Sequence, residues 1–334
     1  MRRNPEIAIK DNHMKMTDYR KAMIAEFWNY QASHFPEWGN YFERARGIDW
    51  RPPVFLKESA DHNVLVEPGI SDERKIVLLN EIPRRDRHRW FRSMSSSQAL
   101  AQSVFGNLKL YDKLNLLRDL KDDSGEPIFA EIELDPTSFT LEYHVDYLGE
   151  PRQTSIDVFI NGNYRIAIEC KLTEQEVGRC SRPRLTMRDS NYDQDHCNGT
   201  YSFQRGRRSR CSLTNIGVQY WKYIPQIFNW HDNEDLDPCP VYENYQLVRN
   251  ILAACVRDEM TSTSYGHAVL IYDERNPSFS EGGTGDKAYE QTREALIEPK
   301  LLRRCTWQQI AKRIRSSSDL QWLAKGLEEK YGIQ

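Results

Sequence analysis

The chain has 334 residues, of which 39% are hydrophobic and 28% charged, with a net charge of −3. That length and apolar content suit one large domain, or a core with a sizeable accessory region. The near-neutral balance excludes a polycationic nucleic-acid coat, and no run approaches the ~18 consecutive apolar residues of a membrane-spanning helix. Met1-Arg2-Arg3-Asn4-Pro5 leads into polar residues rather than the apolar run of a signal peptide, so the expected address is cytoplasmic. Seven cysteines, an odd number in a chain of this size, read as reduced thiols or metal ligands and not as a secreted disulfide framework.

Residues 17–31 carry Tyr19, Met23, Phe27 and Tyr30 at steps of three and four, the period of an amphipathic helix. Residues 36–70 hold Pro36, Pro52, Pro53 and Pro68 with several glycines, which predicts irregular structure. Residues 84–92 are strongly basic, either a solvated surface or a patch that meets phosphates. Ser95-Ser96-Ser97 predicts the cap of a helix with Ala101, Val104, Phe105 and Leu108 on one face, and 112–120 a further helical turn or two.

The period changes at Phe139. Residues 139–147 alternate Leu141, Tyr143, Val145 and Tyr147 with Glu142, His144 and Asp146, a half-buried strand. Residues 154–160 and 164–172 predict two more strands, joined by the hairpin signal Asn161-Gly162-Asn163. Residues 173–211 have no clear period and read as an insertion; from Arg179 to Arg210 they hold eight arginines against three aspartates. Helices are expected at about 214–229 and 241–257, the latter aligning Val241, Tyr245, Val248, Leu252 and Cys255. Residues 267–272 predict a buried strand, and two short helices open at the capping boxes Thr306 to Gln309 and Ser318 to Gln321. The order is helix, three-stranded meander, helix, strand, within helical flanks.

Asp157 on the second strand and Glu169 and Lys171 on the third are the informative residues. Side chains two apart on a strand share a face, so Glu169 and Lys171 point together and Cys170 points away. A three-residue link at Asn161-Gly162-Asn163 sets Ile160 opposite Tyr164 and Asp157 opposite Ala167, one diagonal step from Glu169. A two-residue link would put Asp157 on the wrong face. Two carboxylates suit a hard cation such as Mg²⁺ or Mn²⁺, which polarises a phosphoryl oxygen and lowers the pKa of the attacking water. A lysine beside them orients that water, helps deprotonate it, or offsets transition-state charge. As a bare pattern, an Asp/Glu–Lys pair on a water-exposed sheet face explains the same residues.

Ser-Ile-Asp157-Val-Phe-Ile, a hairpin, and Ile-Ala-Ile-Glu169-Cys-Lys171-Leu-Thr-Glu resemble motifs II and III of the PD-(D/E)XK nuclease superfamily. The resemblance covers roughly residues 95–305. Gln219-Tyr-Trp-Lys-Tyr223 is similar to the Gln-x-x-x-Tyr motif of its RecB-like branch. Ile156 stands where the motif name has proline, and the acid usual in the first helix is replaced there by Gln98, with Glu142 or Glu131 as substitutes. The resemblance implies an α/β restriction-endonuclease-like core (α-β-β-β-α-β, a mixed central sheet flanked by helices) at 95–334, behind a mostly helical region at 1–94. It implies that Asp157 and Glu169 bind Mg²⁺ or Mn²⁺, that Lys171 acts on the water, and that Gln219 and Tyr223 contact DNA or support the site. DNA hydrolysis in defence against foreign DNA is the implied activity, with a second copy or a defence-system protein as candidate partner and no membrane. The rivals are a non-cleaving nucleic-acid-binding module on the same fold and an RNA-directed nuclease.

Within the insertion, Arg205, Arg207, Arg208 and Arg210 are candidate phosphate contacts. Cys180, Cys197 and Cys211 are candidate ligands for structural zinc or an iron–sulfur cluster, although no Cys-x-x-Cys pair is present. Gly282-Gly-Thr-Gly-Asp-Lys287 lacks phosphate-loop spacing and predicts a turn before a helix.

Overall fold

Five strands form one mixed sheet at the centre of the computed structural model, which describes residues 15–44, 51–122, 125–129, 134–150, 154–204 and 206–334. β1 (Phe139–Val145), β2 (Thr154–Asn161) and β3 (Arg165–Cys170) make an antiparallel meander. β4 (Gly266–Tyr272) then pairs parallel with β3, and β5 (Leu302–Thr306) parallel with β4. A parallel partner needs a long crossover, and the insertion followed by a helix supplies it. β4 is buried along nearly its whole length, as a strand covered on both faces must be.

Helices cover both faces. On one lie α1 (Met16–His34), α6 (Trp307–Arg315), α7 (Gln321–Tyr331) and a helix, α3, running through Ser97–Ala101, a π turn at Gln102–Gly106, and Asn107–Leu110. Their Tyr19, Phe27, Phe105, Trp307 and Leu323 share a core with Val158, Ile168 and Cys170 of the sheet. On the other face, Val248, Ile251 and Leu252 of α4 (Tyr245–Cys255) pack on Phe159, Ala167 and Leu270, with α5 (Thr284–Ala295) beside α4. α2 (Asp72–Asn80) lies against the last turn of α3. The region 1–94 thus contributes α1 to the same core as the C-terminal helices. Among the described residues no helix is long and apolar enough to cross a membrane.

Four local features differ from the sequence reading. The helix expected at 214–229 is broken into Ser212–Asn215, Tyr220–Tyr223 and a tight turn at Ile224–Gln226. Gly217, at φ +99°, and Pro225 interrupt the helical ladder. β5 has no signal in the sequence, because Leu-Arg-Arg-Cys-Thr does not alternate. Its charges are met by tertiary partners: Arg303 donates to the carbonyls of Lys300 and Pro127, and Arg304 pairs with Asp286 at 2.7 Å. The box at Thr306 forms with both halves, whereas Ser318 opens a 3-10 turn, Ser318–Leu320, and α7 begins without a side-chain cap.

The fourth concerns the hairpin. Ile160 faces Ile166 rather than Tyr164, and Ala167 faces Phe159 rather than Asp157, a slip of two residues. An even slip preserves the face, so the same ladder continued one step sets Asp157 across from Glu169.

Candidate active site

The first two strands turn over where the acids sit. On β1, Phe139 and Leu141 enter one core, but Tyr143 and Val145 pack against the other. The residue between them, Glu142, has φ +50°, an uncommon conformation for a side-chain-bearing residue. On β2 the same exchange separates Ile156 from Val158, with Asp157 between them. Simple alternation would have kept Leu141, Tyr143 and Val145 on one face; positive φ at Glu142 reverses it. Glu142 and Asp157 are thereby aimed into a cleft of about 1120 Å³, whose walls also include Gln98, Glu169, Lys171, Gln246 and Arg249.

The cleft's hydrogen bonds are specific. Asp157 Oδ2 accepts the backbone N–H of Cys170 at 2.6 Å. Lys171 Nζ donates to Glu169 Oε1 at 2.7 Å and to Gln246 Oε1 at 2.9 Å. Glu169 Oε2 accepts from Asn250 Nδ2 at 3.0 Å, with Arg249 Nη2 at 3.5 Å. Glu142 accepts from Ser155 and Gln98. The Cys170 side chain, as the period of two requires, lies in the opposite core.

Beyond β3 the chain is strapped in place. Trp307 Nε1 donates to the Lys171 carbonyl at 2.9 Å, and the Tyr19 hydroxyl donates to the Leu172 carbonyl at 2.8 Å. Asn276 donates to the carbonyls of Leu172 and Glu174. Glu174 in turn accepts the Leu172 N–H and the Ser97 hydroxyl. Helices from both ends of the chain therefore brace the strand end that carries Lys171.

Burial is the largest influence raising Asp157 well above the usual carboxylate range, and the charges of Glu169 and Glu142 add to it. Burial and then Glu169 also raise Glu142, against hydrogen bonds from Ser155 and Gln98. Burial pulls Lys171 down, but Glu169, Glu174 and Asp157 outweigh it and leave the ammonium above its ordinary value. Lys171 is therefore a fixed cation at neutral pH, suited to offsetting charge rather than to accepting a proton.

Three mutually repelling carboxylates in one partly buried cleft are a donor set that fits a hard divalent cation. Asp157 and Glu169 are the residues that could hold it, with Glu142 beside them. Among the described residues, however, no group of three or more His, Cys, Asp or Glu side chains stands as a ready metal cage. Both Glu169 oxygens are engaged by Lys171 and Asn250, which accounts for this at the cleft.

The other sequence candidates are scattered. Gln98 lines the cleft and also bonds the backbone of Asp86 and His88. Gln219 and Tyr223 bond each other at 3.1 Å, and Gln219 lines a separate cavity with Asp146, Arg165 and Arg257. Arg210 is occupied by Asp235 and by the carbonyls of Asp232 and Asn233, and stacks on Phe203. Arg207 and Arg208 are not among the residues that line the cleft. Arg205 and Glu131 fall outside the described residues. The arginines at the cleft are Arg20, Arg51, Arg87 and Arg249, with His88 and the exposed Trp90. Of these, only the basic run at 84–92 carried a sequence signal. Gln246 and Arg249 carried none, because nothing local ties α4 to β3.

Cys180, Cys197 and Cys211 line one small cavity together with Cys239, which carried no signal of its own, and none of the seven cysteines is in a disulfide.

A helix, an antiparallel meander, a crossover helix and a parallel strand, with acids and a lysine where β2 and β3 open, define an α/β protein of the restriction-endonuclease-like class. Within that class, the chain belongs to the family described as Restriction Endonuclease associating with ARP, whose model matches residues 60–332. No curated protein and no solved structure matches the chain significantly.

Proposed function

We propose that this protein is a metal-dependent nuclease that hydrolyses DNA phosphodiester bonds in the cleft between β2, β3 and α4. The observation that carries the reading is the convergence of Glu142, Asp157, Glu169 and the Lys171 ammonium in one polar cleft rimmed by arginines. A Mg²⁺ or Mn²⁺ ion held by Asp157 and Glu169 would polarise a phosphoryl oxygen and acidify the attacking water. Lys171, fixed by Glu169 and Gln246, places a permanent positive charge where negative charge builds on the phosphate. Arg20 and Arg51 supply sequence-independent contacts to the phosphate backbone, and Trp90 offers a stacking face at the rim. Gln246, rather than Gln219 with Tyr223, is the helix residue that supports the lysine. A role in defence against foreign DNA, and an association with ARP like that in the family's description, belong to the same proposal.

A second reading, a nucleic-acid-binding module that does not cut, is favoured by one observation: Glu169 is locked in ion pairs and no ready metal cage is assembled among the described residues. Incubation of the full chain with plasmid, linear and single-stranded DNA and with RNA, each with and without Mg²⁺ or Mn²⁺, separates them. Metal-dependent cutting of DNA that disappears in Asp157→Ala supports the nuclease. Tight binding with no cutting of any substrate establishes the module, and cutting of RNA alone makes the enzyme RNA-directed.

A further inference from the structure

Four cysteines, three in the insertion and Cys239 beyond it, come from four separate segments. Cys180 lies ten residues beyond β3, Cys197 follows the short helix Tyr192–Asp195, Cys211 precedes Ser212–Asn215, and Cys239 precedes Pro240–Glu243. All four line a cavity of about 20 Å³, which is room for a single ion or water and far too little for an iron–sulfur cube. Each sulfur also accepts a backbone N–H from the residue two positions ahead: Arg182 to Cys180, Gly199 to Cys197 at 3.4 Å, Leu213 to Cys211, and Val241 to Cys239. Such donors stabilise sulfur in its thiolate form, which is the form that ligates metals.

Buried cysteines are common as small apolar residues, and the other three here illustrate it. Cys170 and Cys305 lie in strands and Cys255 in a helix, all within continuous cores. Cys180 and Cys239 also border a core, with Cys211 against it, but these three and Cys197 differ from the others in lining one cavity together. We propose that Cys180, Cys197, Cys211 and Cys239 together bind one structural Zn²⁺ ion.

Tetrahedral Cys₄ coordination is the ordinary closed arrangement for such an ion. Burial raises Cys180 to about 11 and Cys239 to about 12, and raises Cys211 as well, so without metal those thiols stay protonated. Binding releases four protons to solvent and forms four Zn–S bonds, leaving a net charge of −2 on the centre. Arg182, which lines the cavity and favours the Cys180 thiolate, offsets part of that charge. Among the described residues the four do not already stand as a metal cage, so binding would require their side chains to turn toward the cavity they line. The ion would clip the insertion to the turn that leads into α4, and α4 carries Gln246 and Arg249 of the cleft.

The test is metal analysis of the full chain purified under reducing conditions. About one zinc per chain is expected, together with the visible spectrum of tetrathiolate cobalt after exchange with Co²⁺. Cys239→Ser and Cys211→Ser should each lose the zinc. Cys255→Ser, Cys305→Ser and Asp157→Asn should keep it, the last showing that the ion is not in the carboxylate cleft. Chelation of the wild-type protein should speed proteolysis between residues 179 and 239 before the sheet opens, a readout independent of whether any variant folds. Reduced protein that holds no zinc and takes up no cobalt overturns the proposal. So does zinc retained in Cys239→Ser, iron in place of zinc, or a disulfide between any two of the four cysteines.

Discussion

Asp157 sets function against stability. Its carboxyl is raised by burial and by two neighbouring acids. A carboxyl raised above its unfolded value contributes stability that is full below the unfolded pKa and lost as pH rises through the folded one. At neutral pH an ionised Asp157 is therefore a net cost to the folded protein. Asp157→Asn, which keeps an oxygen for the Cys170 N–H, should raise the melting temperature in chelator while eliminating metal-dependent cleavage. A lower melting temperature under those conditions would mean the carboxylate is satisfied as it stands. Lys171→Ala should slow cleavage by ~10²-fold or more with DNA binding largely kept, the scale of losing a charge-stabilising group. Single-turnover rates beside binding isotherms would show that split. His267 behaves differently. Its Nε2 meets the Ile128 carbonyl at 2.7 Å, so that nitrogen carries the proton and Nδ1 accepts from the Tyr164 hydroxyl. Burial, with help from Arg303, depresses its pKa to about 3. Below about pH 6.5 the unfolded chain takes up a proton the native state refuses, and stability should fall by at most about 1.4 kcal/mol per pH unit. Chemical denaturation across pH 4 to 7 should show that slope, and His267→Gln should flatten it.

Elements matter here through their ends and their crossings. At the start of α4 the chain passes close beneath the helix at Gly178, which has φ +93° and lies against the Gln246 side chain. A Cβ there would collide with that amide. Gly178→Ala should push Gln246 away from Lys171 and reduce the cleavage rate while leaving DNA affinity nearly unchanged. Equal losses in rate and affinity would instead indicate a general disturbance of the insertion. At α6, Thr306 and Gln309 exchange both bonds of a capping box just after β5. Thr306→Ala should cost about 1 kcal/mol in denaturant melts. The next residue, Trp307, holds the Lys171 carbonyl, so this cap also fixes one strap of the site.

For the molecule as a whole, the strand that leads into Lys171 is anchored by helices far apart in the chain. Tyr19 from α1 and Trp307 from α6 bond consecutive carbonyls at 171 and 172, and both side chains lie in the same core. The overall net charge of −3 gives no attraction for DNA, so the proposed binding would have to come from local arginines. Arg20→Ala combined with Arg51→Ala should weaken binding to all sequences alike and reduce the salt slope by about one for each phosphate no longer neutralised. Salt-dependent binding to unrelated duplexes is the measurement. An unchanged slope would move the DNA path off this rim. Arg210, paired with Asp235, should be nearly silent in the same assay.

The sequence by itself determined what depends on neighbours along the chain. The helix at 17–31, the strands of the meander and the strand at 267–272 each show their own period, and each forms. Asp157, Glu169 and Lys171 were legible because one short hairpin joins them, and parity alone decides which face they share. Tertiary structure decided the rest. Reversal of β1 at Glu142 rests on one backbone angle that no alternation reveals. Pairing of the arginine-bearing β5 depends on Asp286 and on carbonyls far along the chain. Gln246 and Cys239 reach their places through a crossover longer than any local period. Side-chain periodicity reports which face of an element is buried, but not which distant element covers it. That is settled only when the cores close and every buried charge must find a partner.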